Sequence, residues 1–434
     1  MNFNTWPYYG SDEINAAVRV LESGKVNYWT GDEGRKFEQE FAAYHGAKYG
    51  VAVANGTVAL DLALWALGIG PGDEVVVTPR TFVASAFSIA LRGAVPVFAD
   101  VDLDSGNISP ASVLAALTPR TKALMMVHLA GWPCDMHGLT QLAEKEGLYL
   151  IEDCAQAHGA SWQGRLVGSF GQVGAFSFCT DKIMSTGGEG GMLITSDYDL
   201  WRRMWSYKDH GKDWGAVYSR EHGPGYRWVH ESLGTNWRLT EMQSAMGRVQ
   251  LGKLQGWIQK RRENAWRLIE GLSNLPGLRV PVPGQHAGHV WYKLYVYVRP
   301  HKLKDGWHRD RIMQEISEQG VPCMQGICPE VYLEKAFEYA GTLGCWDARN
   351  AEPASIMGCP AGFGTAKQET GKAKAGSKAH RPGRGLSPEK RLPVAKKLGE
   401  TSLMFEVHPG LGEKDMQDAV QAVAKVMARA TKQP

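Results

Sequence analysis

Between residues 49 and 196, short apolar runs recur, and the stretches between them carry helical periodicity. The runs are YGVAVAN (49–55), DEVVVTP (73–79), VPVFADV (95–101), KALMMVHLAG (122–131), LYLIED (148–153), AFSFC (175–179) and GMLITS (191–196). Each is apolar on both faces, the pattern of strands buried under helices in a mainly parallel sheet. GTVALDLALWALG (56–68) and PASVLAALT (110–118) read as helices between them. Such alternation defines an α/β fold, here with a mainly parallel seven-stranded sheet, and places ligand sites at the carboxyl ends of the strands. A preceding helix is predicted from Asp12 to Glu22, with Ser11 as its cap and Ile14, Val18 and Leu21 on one face.

Beyond about Asn236 the rhythm breaks. A long basic helical stretch, NWRLTEMQSAMGRVQLGKLQGWIQKRRENAWRLIEGL, is followed by a strand-like run at 289–300. A helix closed by Gly320, a strand at 402–407 and a last helix with Met416, Val420, Val423 and Met427 on one face complete the pattern. This predicts a large α/β domain over 1–235 and a smaller α+β domain over 236–434. Residues 361–391, rich in Gly, Lys and Ala, interrupt the second domain and read as a mobile loop.

Charge narrows the function classes. The net charge is +3, and residues 361–391 alone carry eight basic and two acidic residues, a local balance of +6. The basic excess is therefore confined to one segment, and with no helix-turn-helix or interleaved aromatic surface a nucleic-acid partner is not expected. The N-terminus lacks the basic start and apolar core of a signal peptide, and no apolar stretch reaches membrane-spanning length. A cytoplasmic protein with no membrane partner is the expectation. Seven scattered cysteines fit reduced thiols rather than a disulfide framework. The Cys323/Cys328 spacing is a weak zinc signal, and no metal site is expected.

Three strand ends carry chemistry. Asn55-Gly56-Thr57 leads directly into a helix, which fits a phosphate seat and equally a plain helix cap. IEDCAQAHG places Glu152 and Asp153 at the end of an apolar strand, with Gln156 and His158 following. Adjacent strand residues face opposite sides, so only one of the two acids need face a site. Lys182 lies three residues past a strand and just before TGGEGG; it lacks the phosphate-loop pattern around it. A solvated surface lysine and a covalent catalyst both remain open for it. Taken together, a phosphate seat, an acid and a lysine at neighbouring strand ends are what pyridoxal 5′-phosphate requires.

The motifs EDCAQAHGA, FSFCTDK…GGEGG and GTNWRLTEMQSAMGRVQL, in this order, resemble the DegT/DnrJ/EryC1/StrS family of sugar aminotransferases. The resemblance runs from about Trp6 to the C-terminus, apart from the basic insert. It implies the fold-type I architecture of pyridoxal-phosphate enzymes. On its pattern, Lys182 is the Schiff-base lysine and proton carrier, and Asp153 pairs with the pyridine nitrogen. Gln156 contacts the ring oxygen; Gly56, Thr57 and Ser177 contact the phosphate; Phe82 stacks on the ring or packs in the core. Asn236 reaches the phosphate of a neighbouring subunit, which implies a homodimer with composite sites. Lys208 and His210 lie where family members approach the sugar nucleotide, and Arg238 is either structural or a nucleotide contact. The insert is a disordered loop or a basic flap over the substrate, with the loop favoured.

The implied reaction moves an amino group from glutamate, which leaves as 2-oxoglutarate, to a nucleotide-linked keto-deoxysugar, in a pathway favouring surface polysaccharide. Family members that instead remove a sugar hydroxyl replace the lysine with histidine, so Lys182 favours transamination. An aminobenzoate-type synthase is the lesser alternative within the family. A regulatory or nucleic-acid-binding protein is the alternative from another class.

Overall fold

The computed structural model describes residues 3–337 and 391–432. The predicted insert therefore lies outside the described residues, except for Arg391 at its end. The strands in chain order are β1 (Tyr49–Val53), β2 (Glu74–Val77), β3 (Val95–Phe98), β4 (Thr121–Val127), β5 (Tyr149–Asp153), β6 (Ser161–Trp162) and β7 (Arg165–Leu166). They continue as β8 (Val173–Ser177), β9 (Gly191–Thr195), β10 (Leu278–Arg279), β11 (Ala287–Gly288), β12 (Leu294–Val298), β13 (Cys323–Met324) and β14 (Ser402–Phe405).

Seven of these form one sheet in the order β1-β9-β8-β5-β4-β2-β3. Strand β9 alone runs antiparallel to its neighbours β1 and β8; the other contacts are parallel. All seven predicted strands are present. Strands β2, β8 and β9 are buried along their whole length, which explains their uninterrupted apolar runs. The helix Gly56–Ala66 packs under the sheet with Leu60, Leu62 and Leu64 buried. Each such side chain contributes about 1.5–3 kcal/mol by leaving water.

The helix Glu241–Leu272 ties this sheet to the C-terminal part of the chain. Thr240 starts it with a capping box, its hydroxyl accepting from Gln243 N. Its first half packs Leu254 and Ile258 against Phe41 and Phe178. Its second half places Leu268 and Leu272 with Val296, Phe405 and Val423 around the antiparallel sheet β10-β12-β14-β13. A third small sheet has the order β11-β6-β7.

The first helix spans Ser11–Ser23, and its phase differs from the prediction. Gly10, not Ser11, is its cap, and the Glu13 carboxylate accepts from Gly10 N at 2.9 Å. Ile14, Val18 and Leu21 point to solvent, while the smaller Ala16 and Val20 pack on Ala245. Small residues let the two helix axes approach closely, and Lys253 fixes the register by pairing with Asp12 and Glu13.

Residues ahead of this helix form a strap. Asn4 Nδ2 donates to Gly410 O, and Trp6 Nε1 donates to Lys182 O at 2.7 Å. Tyr9 Oη bonds Ser185 Oγ and accepts from Gly187 N. Among the described residues, no helix is long and apolar enough to cross a membrane.

Candidate active site

The carboxyl ends of β1, β2, β4, β5 and β8 lie on one edge of the main sheet. At β1, Asn55 caps the helix Gly56–Ala66: its Oδ1 accepts from Val58 N at 3.0 Å, and its carbonyl accepts from Ala59 N. The Gly56 and Thr57 N–H groups are left over at the positive end of the helix. The cap and the anion seat are thus separate groups of one turn. A Cβ on Gly56 would lie 2.6 Å from Ser177 Cβ, so glycine is what lets the ends of β1 and β8 meet. The Ser177 hydroxyl accepts from Cys179 N, and its own proton has no described acceptor. The glycines after Lys182 serve backbone packing: a Cβ on Gly191 would meet the Asn55 carbonyl at 2.4 Å.

At the end of β5 the two acids part. Glu152 is fully buried and accepts from the N–H groups of Gly168, Phe170 and Gly171, each at 2.7 Å. It also meets His128 Nε2 at 3.2 Å. With Cys154, Glu152 and His128 form a buried group of metal-ligating types, but the carboxylate is already committed to those N–H groups. Asp153 faces the other way. It accepts from Ser85 Oγ at 2.7 Å and from Ala155 N at 3.1 Å, and it makes no ion pair among the described residues. Burial pushes its pKa above the ordinary carboxylate range; the Ser85 and Ala155 donors and the charge of Lys182 oppose that shift without cancelling it. A buried acid lacking a cation fits a protonated ring nitrogen. Gln156 anchors its carbonyl on Ala130 N at 2.7 Å, which leaves its NH₂ group to donate.

Lys182 sits in the turn after β8. Its N–H donates to Cys179 O, and its carbonyl accepts from Trp6. Its Nζ is 3.4 Å from Asp181 Oδ1 and 3.5 Å from Tyr292 Oη. The side chain is only 16% exposed, which sets it apart from a solvated surface lysine. Phe82 is 60% exposed, so the packed-core alternative for it fails and the ring is open to a ligand.

The remaining predicted residues fall elsewhere. Lys208 is fully buried, paired with Glu38 and 4.3 Å from the Tyr28 ring centroid. Full burial and the pairing with Glu38 give it a structural role rather than the predicted place on an open substrate face. Arg238 donates to the buried Asp209 at 2.5 Å; Asp209 also accepts from Trp29 and Lys212. This ion pair gives Arg238 a structural role. His210 is exposed, with a positive φ of 58°. Asn236 is exposed on a segment whose Trp237 carbonyl accepts from Ala54 N, beside the end of β1. Sequence reasoning missed Ser85, Asp181 and Tyr292. Ser85 is four residues after Thr81, whose hydroxyl it meets at 2.9 Å, and that spacing was the only available signal.

The chain is 39% identical to the dTDP-3-amino-3,4,6-trideoxy-alpha-D-glucose transaminase of Streptomyces venezuelae, over 76% of this chain and 81% of the relative. It is 41% identical to the 3-amino-5-hydroxybenzoate synthase of Amycolatopsis mediterranei, over 77% of this chain and 84% of the relative. An X-ray structure of an aminotransferase from Psychrobacter cryohalolentis superposes with a TM-score of 0.86 at 50% identity, covering 98% of this chain and 99% of that one. The model of the DegT/DnrJ/EryC1/StrS aminotransferase family matches residues 7–355, and the chain belongs to that family.

Proposed function

We propose that the protein is a pyridoxal-phosphate-dependent aminotransferase that moves an amino group from glutamate to a nucleotide-linked keto sugar. One observation carries this reading. Asp153 and Lys182 stand at adjacent strand ends, the acid buried without a cation and the lysine sheltered beside it.

The residues fit the cofactor. The Gly56 and Thr57 N–H groups and the Ser177 hydroxyl would hold the phosphate. Asp153 would keep the ring nitrogen protonated, and Ser85 would keep the Asp153 carboxylate oriented. The Gln156 NH₂ group would donate to the ring oxygen, and Phe82 would cover the ring face. When bound, the cofactor supplies an electron sink for the bond cleaved at the amino carbon. Lys182 supplies the attachment point and moves the proton at that carbon as general base and then general acid.

The sugar-nucleotide substrate class rests on the Streptomyces relative, named as a dTDP-sugar transaminase. The aminobenzoate relative favours a second reading, in which the acceptor is a cyclic non-sugar ketone. We also infer a cytoplasmic homodimer: the exposed stripe of Ile14, Val18 and Leu21 is an apolar surface that a second copy would cover.

The test is the visible spectrum of the purified protein with and without glutamate, beside Lys182→Ala. A yellow band that glutamate bleaches, absent in the variant, is expected. A colourless protein that takes up no pyridoxal phosphate overturns the reading. A panel of nucleotide keto sugars and cyclic ketones then separates the two acceptor classes.

A further inference from the structure

Lys182 is held by groups that the cofactor reading does not use. The Tyr292 hydroxyl donates to Asp181 Oδ2, and Lys182 Nζ lies against both, 3.4 Å from Asp181 Oδ1 and 3.5 Å from Tyr292 Oη. Tyr292 is buried, and its backbone is fixed twice. Its N–H donates to Ala130 O at 2.9 Å, and its carbonyl accepts from Arg261 Nη1 at 3.3 Å. Ala130 is the residue whose N–H anchors Gln156. One short segment therefore supports both the ring-oxygen donor and the hydroxyl beside Lys182. On the other side, the Lys182 backbone is pinned by Trp6 and Cys179.

The carboxylate at this spot is ionised. Burial pulls the Asp181 pKa up, but the Lys182 charge, the Tyr292 hydroxyl and Lys293 outweigh it and leave the group below the ordinary carboxylate range. Asp153, the other acid of the site, makes no ion pair with Lys182. The amine is thus attracted to a place distinct from the acid that serves the ring.

We propose that Asp181 and Tyr292 form a resting site for the Lys182 amine, a pair of positioning residues that hold Nζ whenever it is not joined to the cofactor. This rests on the pyridoxal-phosphate reading above. A transamination cycle must release the lysine and take it back, and a freed amine on a four-carbon chain has many rotamers to explore. A fixed acceptor pair keeps it within reach of the reacting carbon.

The consequence is a difference between the two cofactor forms. Capture of pyridoxal phosphate joins Nζ to the aldehyde carbon with loss of water, and so removes Nζ from the resting site. Pyridoxamine phosphate forms no such bond and leaves Nζ where it is. Weakening the resting site therefore favours the aldehyde form alone.

Equilibrium binding of both forms to the apo full-length chain tests this, with wild type, Asp181→Asn, Asp181→Glu and Tyr292→Phe side by side. Asp181→Asn and Tyr292→Phe are expected to bind pyridoxal phosphate roughly three- to tenfold tighter, the size of one ordinary intramolecular hydrogen bond. Their affinity for pyridoxamine phosphate stays within about twofold of wild type. Asp181→Glu, which keeps the carboxylate, shifts the ratio less than Asp181→Asn. Parallel changes in both forms, an unchanged ratio, or weaker binding of the aldehyde form overturns the inference and leaves the cofactor assignment standing. Failure of the wild type to bind either form overturns the proposed function and this inference together. Asp181 has a 56% exposed side chain, so its variants are expected to fold.

Discussion

Two charged clusters lie within this one molecule, and their bonding is opposite. Around Lys208 and Asp209 every charge is answered: Lys208 by Glu38, and Asp209 by Arg238, Lys212 and the Trp29 indole. At the sheet edge the charges are left incomplete. Among the described residues, Asp153 has two neutral donors and no ion pair, and the Gly56 and Thr57 N–H groups have no acceptor. A buried acid without a cation beside an open helix start leaves room for a ligand, whereas the answered set is a brace. Lys182 pairs with the exposed Asp181 and Lys208 with the buried Glu38, and that difference separates the two lysines.

The comparison breaks if the two clusters respond alike to mutation. Asp153→Asn removes the ring partner and is expected to lower the rate of the glutamate half-reaction about 10³-fold, within the range of positioned acid–base groups. Its unfolding midpoint should hold or rise, because a buried unpaired charge is gone. Stopped-flow spectra and a melting curve on one preparation check both halves. Lys208→Ala should do the reverse. It strands Glu38 and should cost about 3–5 kcal/mol of stability, read by urea titration, with turnover per folded molecule unchanged. If Lys208→Ala abolished turnover without loss of stability, the brace reading would be wrong.

A smaller effect follows from histidines buried near the sheet. His45 is pushed down to about 4, and His158 and His289 to about 3, in each case by burial first. Their folded values lie below the ordinary value of about 6.5, so the unfolded chain binds more protons between the two. Stability is therefore full above pH of about 6.5 and is lost as pH falls toward the folded values, by up to about 1.4 kcal/mol per unit for each group. Melting curves from pH 7 to 4.5 test this. A flat profile would show that these rings take up protons freely in the folded state.

The strands were legible because β2, β8 and β9 are covered on both sides and admit only apolar residues. The positions of Asp153, at the end of β5, and of Gln156 and Lys182, a few residues past β5 and β8, were legible from those strands. Residues arriving from far along the chain were not. Ser85 reaches Asp153 across 68 residues, and Tyr292 reaches Lys182 across 110. The burial of Lys208 depends on Glu38, 170 residues away, and nothing local to YKDHGK announces it. The phase of the first helix was misread for a related reason. Periodicity identifies an apolar face, but Ala16 and Val20 win the contact because Ala245 opposite them leaves room for a close approach.

The strap sets an order of events during synthesis. Asn4 bonds Gly410, 406 residues later, and Trp6 bonds the carbonyl of Lys182 itself. A chain leaving the ribosome can complete the main sheet once β9 has emerged, since domains fold as units from the N-terminal side. Trp6 can meet Lys182 as soon as that turn has formed, whereas Asn4 must wait for Gly410 before the outer end of the strap closes. A chain cut before Gly410 would keep the Trp6 bond to the Lys182 carbonyl and lose the Asn4 bond.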